Sequence, residues 1–292
     1  MRRWSERWPR RPALREEDWA VTMNGREMSS GGRLRGVVLA GGRGTRLGCI
    51  TRVANKHLLP VYDRPMIFHG LEAMACAGVR EVMVVVDRGD LDEYRRLLID
   101  PLEHGLDRLE LGEQDGPKGI ADALAVAESF VGGNDAFVLL GDNLFGTSLA
   151  AAAQEFAGSR ATGMVMLTPV ENPREFGIAR FSGSDGRLEE IIEKPEHPPT
   201  DLGVTGAYFY RPSVFDLIRG LSPSSRGELE ITDLNNAILS RGELDWSDVE
   251  GWWADAGTPD GLLRASLNAA DRGVNGGPAR RSLVHETGGD PY

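Results

Sequence analysis

Residues 36–47 read Gly36-Val-Val-Leu-Ala-Gly-Gly-Arg-Gly-Thr-Arg-Leu47, a short apolar run that breaks into glycines. A run of this kind predicts a strand buried on both faces, and the glycines predict that it opens into a tight loop. Glycine keeps backbone N–H groups free of side-chain cover, so the loop can approach phosphate oxygens, and Arg46 can add a fork of charged hydrogen bonds. The same glycine pattern also serves as a plain structural turn. It is neither a Walker A sequence nor a GxGxxG dinucleotide fingerprint. No acid about 20 residues on is placed to hold a ribose, which argues against a dehydrogenase.

Outward from this stretch, apolar runs and helical patterns alternate. Residues 65–78 carry helical apolar spacing, with proline near the start and Gly78 as the stop. Residues 81–86 (EVMVVV) read as a second buried strand and 136–140 (AFVLL) as another. A polar helix is predicted near 90–99 and a further helix over 119–130. This alternation predicts an α/β fold with a doubly wound, mostly parallel, Rossmann-like mixed sheet. After Asn143 the texture changes. Residues 161–167, 177–181, 188–193 and 204–210 are strand-like, with a turn at 182–186, and helical segments follow near 212–219 and 231–240. No internal repeat is present.

Composition sets the outer bounds. With 292 residues, 41% hydrophobic and 26% charged, the chain reads as a soluble globular protein able to bury a sizeable core. The net charge of −11 is uneven: residues 1–35 hold nine arginines against five acids, so the remainder carries about −15. Such a body is a poor partner for nucleic acid, although small anions can still be held by local cations and backbone amides. No apolar run is long enough for a membrane span. Two cysteines, Cys49 and Cys76, fit a reducing compartment and are expected as buried small hydrophobes, so a cytoplasmic location is expected. Residues 1–34, rich in Arg and Trp, lack the core of a secretory signal and are expected to be a disordered extension or to precede a true start at Met23 or Met28. Residues 273–292 are expected to be a flexible tail.

The longer stretch LAGGRGTRLGCITRVANKHLLPVYDRPMI (39–67) resembles the signature of the sugar-1-phosphate nucleotidylyltransferases, and among them the glucose-1-phosphate thymidylyltransferases. The resemblance runs from about Gly36 to Leu263, with separated motifs in the expected order. It implies a fold of the nucleotide-diphospho-sugar transferase type in one domain over 35–272, with a nucleotide half at about 35–145 and an inserted sugar-binding β region at about 146–272. It implies a transferase of dTDP-sugar biosynthesis that uses Mg²⁺, takes an NTP (dTTP or UTP) and a sugar 1-phosphate, and contacts neither nucleic acid nor membrane. A homo-oligomer is left open.

The resemblance also assigns residues. Leu39, Gly41, Gly42, Gly44, Thr45 and Arg46 would cradle the nucleotide, with Arg46 and Lys56 holding the triphosphate and stabilising charge shed onto pyrophosphate. Gln114, Pro117 and Gly119 fall in QDGPKGIA (114–121), where the family's glutamine reads a pyrimidine edge; an amide can offer both donor and acceptor there. Asp142, at the carboxyl end of the strand-like run 136–140, and Asp255 in WWADAGT (252–258) match the family's magnesium ligands. Glu193 and Lys194 match its E-K-P motif, the glutamate for sugar hydroxyls and the lysine for the attacking phosphate. Asn143, Phe176, Gly177, Val204, Thr205 and Trp253 complete the expected sugar-phosphate side. RGELEITDLN (226–235) reads mainly as architecture. The reaction implied is in-line displacement at the α-phosphorus, with Arg46, Lys56, Lys194 and Asp142 as the catalytic set.

Four departures qualify the carry-over. Cys49 replaces a proline, Ala179-Arg180 replaces the usual valine and glutamate beside the sugar, and Asp122 stands where glutamine is common. Only 34 residues follow Thr258, too few for the C-terminal helices of typical bacterial thymidylyltransferases, so a short form lacking those helices is expected, with feedback inhibition and a tetramer both left open. A uridylyl- or other nucleotidylyltransferase for a modified sugar phosphate stays open beside the thymidylyl reading, as does a non-catalytic nucleotide-sugar-binding regulator.

Overall fold

The elements run β1 (Arg35–Leu39), β2 (Pro60–Val61), β3 (Arg64–Pro65), α1 (Met66–Cys76), β4 (Glu81–Asp87), α2 (Leu91–Leu97), β5 (Arg108–Gln114), α3 (Ile120–Val126), α4 (Glu128–Val131) and β6 (Ala136–Leu140). They continue with β7 (Asn143–Phe145), α5 (Ala150–Gly158), β8 (Gly163–Pro169), β9 (Gly177–Phe181), β10 (Leu188–Glu193), β11 (Leu202–Tyr210), α6 (Val214–Arg219), α7 (Ile231–Leu239), β12 (Leu244–Asp248), β13 (Trp253–Asp255) and α8 (Pro259–Arg272). The computed structural model describes residues 34–276, except positions 43, 53, 184 and 185 and the side chain of Arg272. The expected extension before Leu34 and the tail beyond Gly276 lie outside the described residues.

Apolar runs explain the centre. β1 pairs in parallel with β4 on one side and β6 on the other, with Val38 opposite Val84 and Leu139. Strands covered on both faces need no polar alternation, which is why all three read as continuous hydrophobic runs. Successive side chains still point to opposite faces. Val37, Leu39, Met83, Val85 and Val138 pack with Ala121 and Leu124 of α3, whereas Val38, Val84 and Leu139 pack with Ile67, Leu71 and Met74 of α1. Each fully buried aliphatic side chain contributes roughly 1.5–3 kcal/mol, and both faces hold many.

The main sheet runs β10-β9-β11-β6-β1-β4-β5, with β8 on β11 and β12 beside β8. It is parallel across β6-β1-β4-β5 and antiparallel from β11 outward, while β12 runs parallel to β8. This is the expected doubly wound α/β sheet with an added β region. Strand order reverses at β1, because β4 and β5 extend to one side and β6 to the other. Open sheets form their ligand crevice outside the carboxyl ends of strands at such a reversal. Leu39, Asp87, Gln114 and Asp142 lie at the ends of these four strands or just beyond.

A smaller cluster closes the far end. Val61, Met66, Leu144, Ala254, Ala265 and Ala269 pack where α8 covers the two-stranded pair β7–β13. Thr258 caps α8 by accepting from the Gly261 N–H at 3.1 Å, Pro259 follows at the first turn, and Gly273 ends the helix at φ 73°.

Several expectations change. The helix expected over 119–130 is two, α3 and α4. The chain is held beyond the expected tail start at 273: Asn275 is buried, and its backbone N–H reaches Phe145 O at 2.9 Å. Both cysteines are exposed rather than buried. Cys76 ends α1, whose buried face is carried by Met66, Ile67, Leu71, Ala73 and Met74. Among the described residues, no helix is long and apolar enough to cross a membrane.

Candidate active site

A cleft of about 350 Å³ opens over the carboxyl ends of β1, β4, β5 and β6 and continues across β9, β10 and β11. Its wall includes most residues singled out from the sequence: Leu39, Gly41, Gly42, Arg46 and Lys56, then Gln114, Pro117, Gly119, Asp142 and Asn143, then Phe176, Gly177, Glu193, Lys194, Val204, Thr205, Trp253 and Asp255. Gly44 and Thr45 stand outside that wall. Gly44 instead shapes the loop: at φ 59°, a Cβ there would meet Thr51 Cγ2 at 2.8 Å, and its carbonyl accepts from the Thr51 hydroxyl.

At the floor two carboxylates converge from distant parts of the chain. Pairing of β13 with β7 sets Asp255 opposite Asn143, and the Ala256 N–H reaches Asp142 O at 2.8 Å. A Cβ on Gly257 would stand 2.8 Å from Asp255 Oδ1, 3.1 Å from Asp142 Oδ2 and 2.7 Å from an Arg46 guanidinium nitrogen. Only glycine leaves that space open. Lys56 Nζ donates to Asp142 Oδ2 at 2.5 Å, and Arg46 lies 3.4 Å from Asp255 Oδ2.

The electrostatics differ between the two acids. Burial pushes the Asp142 carboxyl up, but the Lys56 charge beside it and hydrogen bonds from Lys56 and Asn143 hold it well below the usual carboxylate range. Asp255 is raised, first by burial and then by the negative charge of Asp142; Arg46 and the Gly257 N–H work the other way. Two acids facing one small space favour a cation between them. Their hard oxygens suit a divalent ion such as Mg²⁺, which takes one or two carboxylates and completes its shell with water and phosphate. Among the described residues no third His, Cys, Asp or Glu joins them.

Lys56 is aimed by its neighbours. Asn55 Oδ1 accepts from the His57 N–H at 2.9 Å, and Asn55 donates to Asp90 at 2.6 Å. His57 is buried against Gly141, and burial, followed by the Lys56 charge, lowers its pKa to about 3. The ring is therefore neutral near pH 7.

The Gln114 side of the cleft is organised by α3. Gln114 Nε2 donates to Gly119 O at 3.0 Å and to Asp122 Oδ2 at 2.9 Å. Both partners only accept, so the amide orientation is fixed and Oε1 is left facing the cleft near Gly41. Asp122, a departure in the sequence, acquires a physical role here. At Gly119, φ is 102° and a Cβ would lie 2.4 Å from Leu229 O. The Leu229 N–H and C=O bond Lys118 O and the Ala121 N–H, clamping this loop to segment 226–230.

At the other end of the cleft, Glu193 accepts from the Thr232 hydroxyl at 2.6 Å and lies 3.3 Å from Lys194 Nζ. Asn143 Oδ1 accepts from the Gly206 N–H and from Trp253 Nε1, both at 2.8 Å, while its Nδ2 donates to Asp142. Phe176 meets Trp253 edge to face at 5.5 Å. The Thr205 hydroxyl donates to Met166 O, so that side chain serves the sheet. Ala179 is wholly buried in the core and Arg180 pairs outside with Glu190, so neither alters the cleft. Asp87, which the sequence did not single out, lines the cleft, and so do Arg226, Glu230 and Thr232 of segment 226–235. The segment read as architecture is also cleft wall.

A family model described as nucleotidyl transferase matches residues 35–272. The chain belongs to the nucleotidyl transferase family. It is therefore an enzyme of nucleotidyl transfer. A glucose-1-phosphate thymidylyltransferase of Neisseria meningitidis is 39% identical over 80% of this chain and 81% of its own length. A low-salt glycan biosynthesis nucleotidyltransferase of Haloferax volcanii is 38% identical over 80% of this chain, which spans 65% of that protein. A crystal structure from Bacillus anthracis, of a chain assigned as a glucose-1-phosphate thymidylyltransferase and bound to sucrose, superposes with a TM-score of 0.77 at 39% identity, covering 85% of this chain and 99% of that one. A UDP-glucose pyrophosphorylase shares the fold at 24% identity with a TM-score of 0.72, covering 80% of this chain and 97% of its own.

Proposed function

We propose that this nucleotidyl transferase joins dTMP, from dTTP, to glucose 1-phosphate and releases pyrophosphate. The observation that carries the reading is the floor of the cleft, where Arg46 and Lys56 stand against the paired carboxylates of Asp255 and Asp142, with Lys194 across the cleft at the end of β10. The names of the relatives supply the substrates.

A phosphate monoester is already ionised near pH 7, so no protein nucleophile or general base is required. The attacking sugar phosphate would be held by Lys194, and its hydroxyls would meet Glu193. Gln114 Oε1 would accept the ring N–H of thymine. Arg46 and Lys56 would take up charge on the departing pyrophosphate, stabilising the transition state more than the ground state. Asp142 and Asp255 would hold Mg²⁺, whose chemistry there is to neutralise phosphate oxygens and fix their orientation.

Pyrophosphate release assayed with dTTP, UTP, CTP, ATP and GTP against several sugar 1-phosphates tests this. The expected result is highest turnover with dTTP and glucose 1-phosphate, lost on chelation of divalent ions. Highest turnover with UTP or with another sugar phosphate would replace the stated substrates. Nucleotide-sugar binding without turnover of any pair would replace catalysis with a regulatory role.

A further inference from the structure

Asp87 ends β4, directly opposite Gln114 in the parallel pairing with β5. Its Oδ2 accepts the Gly42 N–H at 2.7 Å, tying the strand end to the glycine loop across 45 residues. An acid thus reaches the loop after all, delivered by the neighbouring strand rather than by a residue 20 positions on. Its other oxygen, Oδ1, is buried and has no hydrogen-bond partner among the described residues. That oxygen meets the bare Cα of Gly41 across a narrow gap at the cleft edge, where a Cβ would lie 2.9 Å from it and 3.4 Å from Gln114 Oε1. Asp87 also lines the cleft.

We infer that Asp87 accepts a hydroxyl of the nucleotide's sugar ring. This rests on the reading that the nucleotide occupies the Gln114 side of the cleft. With the base at Gln114 and the phosphates at Arg46 and Lys56, the ring between them passes the Gly41–Asp87 gap. Oxygens of a carboxylate can only accept. Between base and phosphates, the ring hydroxyls are the nucleotide's only strong donors, whereas phosphate oxygens would be repelled. An orphaned buried acceptor is costly, and a donor arriving with the ligand relieves it. The same carboxylate would steer the triphosphate away from the front of the loop, toward the two cations.

The test combines ligand deletions with substitution. Equilibrium binding of UTP, dUTP, dTTP and 2′,3′-dideoxy-TTP is measured by calorimetry with magnesium for the wild type, Asp87→Asn and Asp87→Ala. Asparagine can still accept the Gly42 N–H through its carbonyl while presenting a donor in place of Oδ1. The expected result is a loss of about 10- to 30-fold in affinity for nucleotides bearing the hydroxyl that is read, and little change for the analogue lacking it. Sensitivity within the UTP and dUTP pair assigns the 2′-hydroxyl; sensitivity within the dTTP and dideoxy pair assigns the 3′-hydroxyl. Equal loss for all four nucleotides in both variants would make Asp87 a mere anchor of the loop and overturn the inference, as would no loss. Binding of none of the four by the wild type would remove this inference along with the nucleotide site. Hydroxyl-dependent binding without turnover would remove only the proposed reaction.

Discussion

Replacing Asp122 by alanine isolates the device that orients Gln114. In the wild type the amide nitrogen is held by the Gly119 carbonyl at 3.0 Å and by the Asp122 carboxylate at 2.9 Å. A neutral hydrogen bond is worth about 1 kcal/mol and one to a charged group about 1.5–3 kcal/mol. A flipped amide loses both, so it lies about 3 kcal/mol higher and is populated in well under one molecule in a hundred. Without Asp122 only about 1 kcal/mol holds the orientation, and roughly one molecule in six is flipped. The flipped amide offers N–H to the unprotonated ring nitrogen of cytosine. The ratio of kcat/KM for dTTP over dCTP, measured with glucose 1-phosphate, should therefore fall about 10- to 30-fold in Asp122→Ala. Asp122→Asn, whose carbonyl can still accept, should keep most of it. A folded Asp122→Ala enzyme with an unchanged ratio would refute the reasoning.

Asp142→Asn keeps the shape but removes the charge facing Lys56 and Asp255. It should retain native circular dichroism while metal-dependent turnover falls at least about a hundredfold; activity near wild type would remove the metal assignment. Gly119→Ala places a methyl against the Leu229 carbonyl at a positive φ, so the loops must separate. The expectation is destabilisation of about 1–3 kcal/mol by urea unfolding, together with a raised KM for the nucleotide, and an unaltered midpoint would contradict it. His57 has a lowered pKa in the fold and an ordinary one of about 6.5 when unfolded, so the unfolded chain binds the extra proton between them. Its contribution is fully present above pH 6.5 and is lost, at about 1.4 kcal/mol per unit, as pH falls toward 3. Stability of His57→Gln plotted against pH should be flatter than wild type below pH 6.5, and parallel curves would count against the burial argument.

The parallel half of the sheet was legible because β1, β4 and β6 are covered on both faces and so spell out as unbroken apolar runs. β5 was missed for the opposite reason. It is an edge strand whose sequence RLELGEQ mixes half-exposed leucines with acids, leaving no run to read. β7 and β13 have three residues each, too few for any periodicity, yet their pairing delivers Asp255 to Asp142. α8 is announced by Thr258-Pro-Asp-Gly261, a cap followed by proline, a helix start that overlaps the end of the WWADAGT motif. Motif matching found the residues whose chemistry is shared with relatives. It could not find Asp87, and it marked Asp122 only as a departure, because both roles depend on which strand end lies beside which loop.

The β7–β13 pairing also makes the site depend on parts of the chain far apart in sequence. Everything that builds the parallel sheet, including Lys56 and its partner Asp142, lies within the first 142 residues, whereas the second carboxylate arrives 113 positions later. A chain ending at Gly251 would lack β13 and α8, so no acid would stand opposite Asp142. If the two carboxylates hold a divalent ion as proposed, that capacity depends on β13 and on the packing of α8 over Leu144 and Ala254, far along the chain from the parallel sheet.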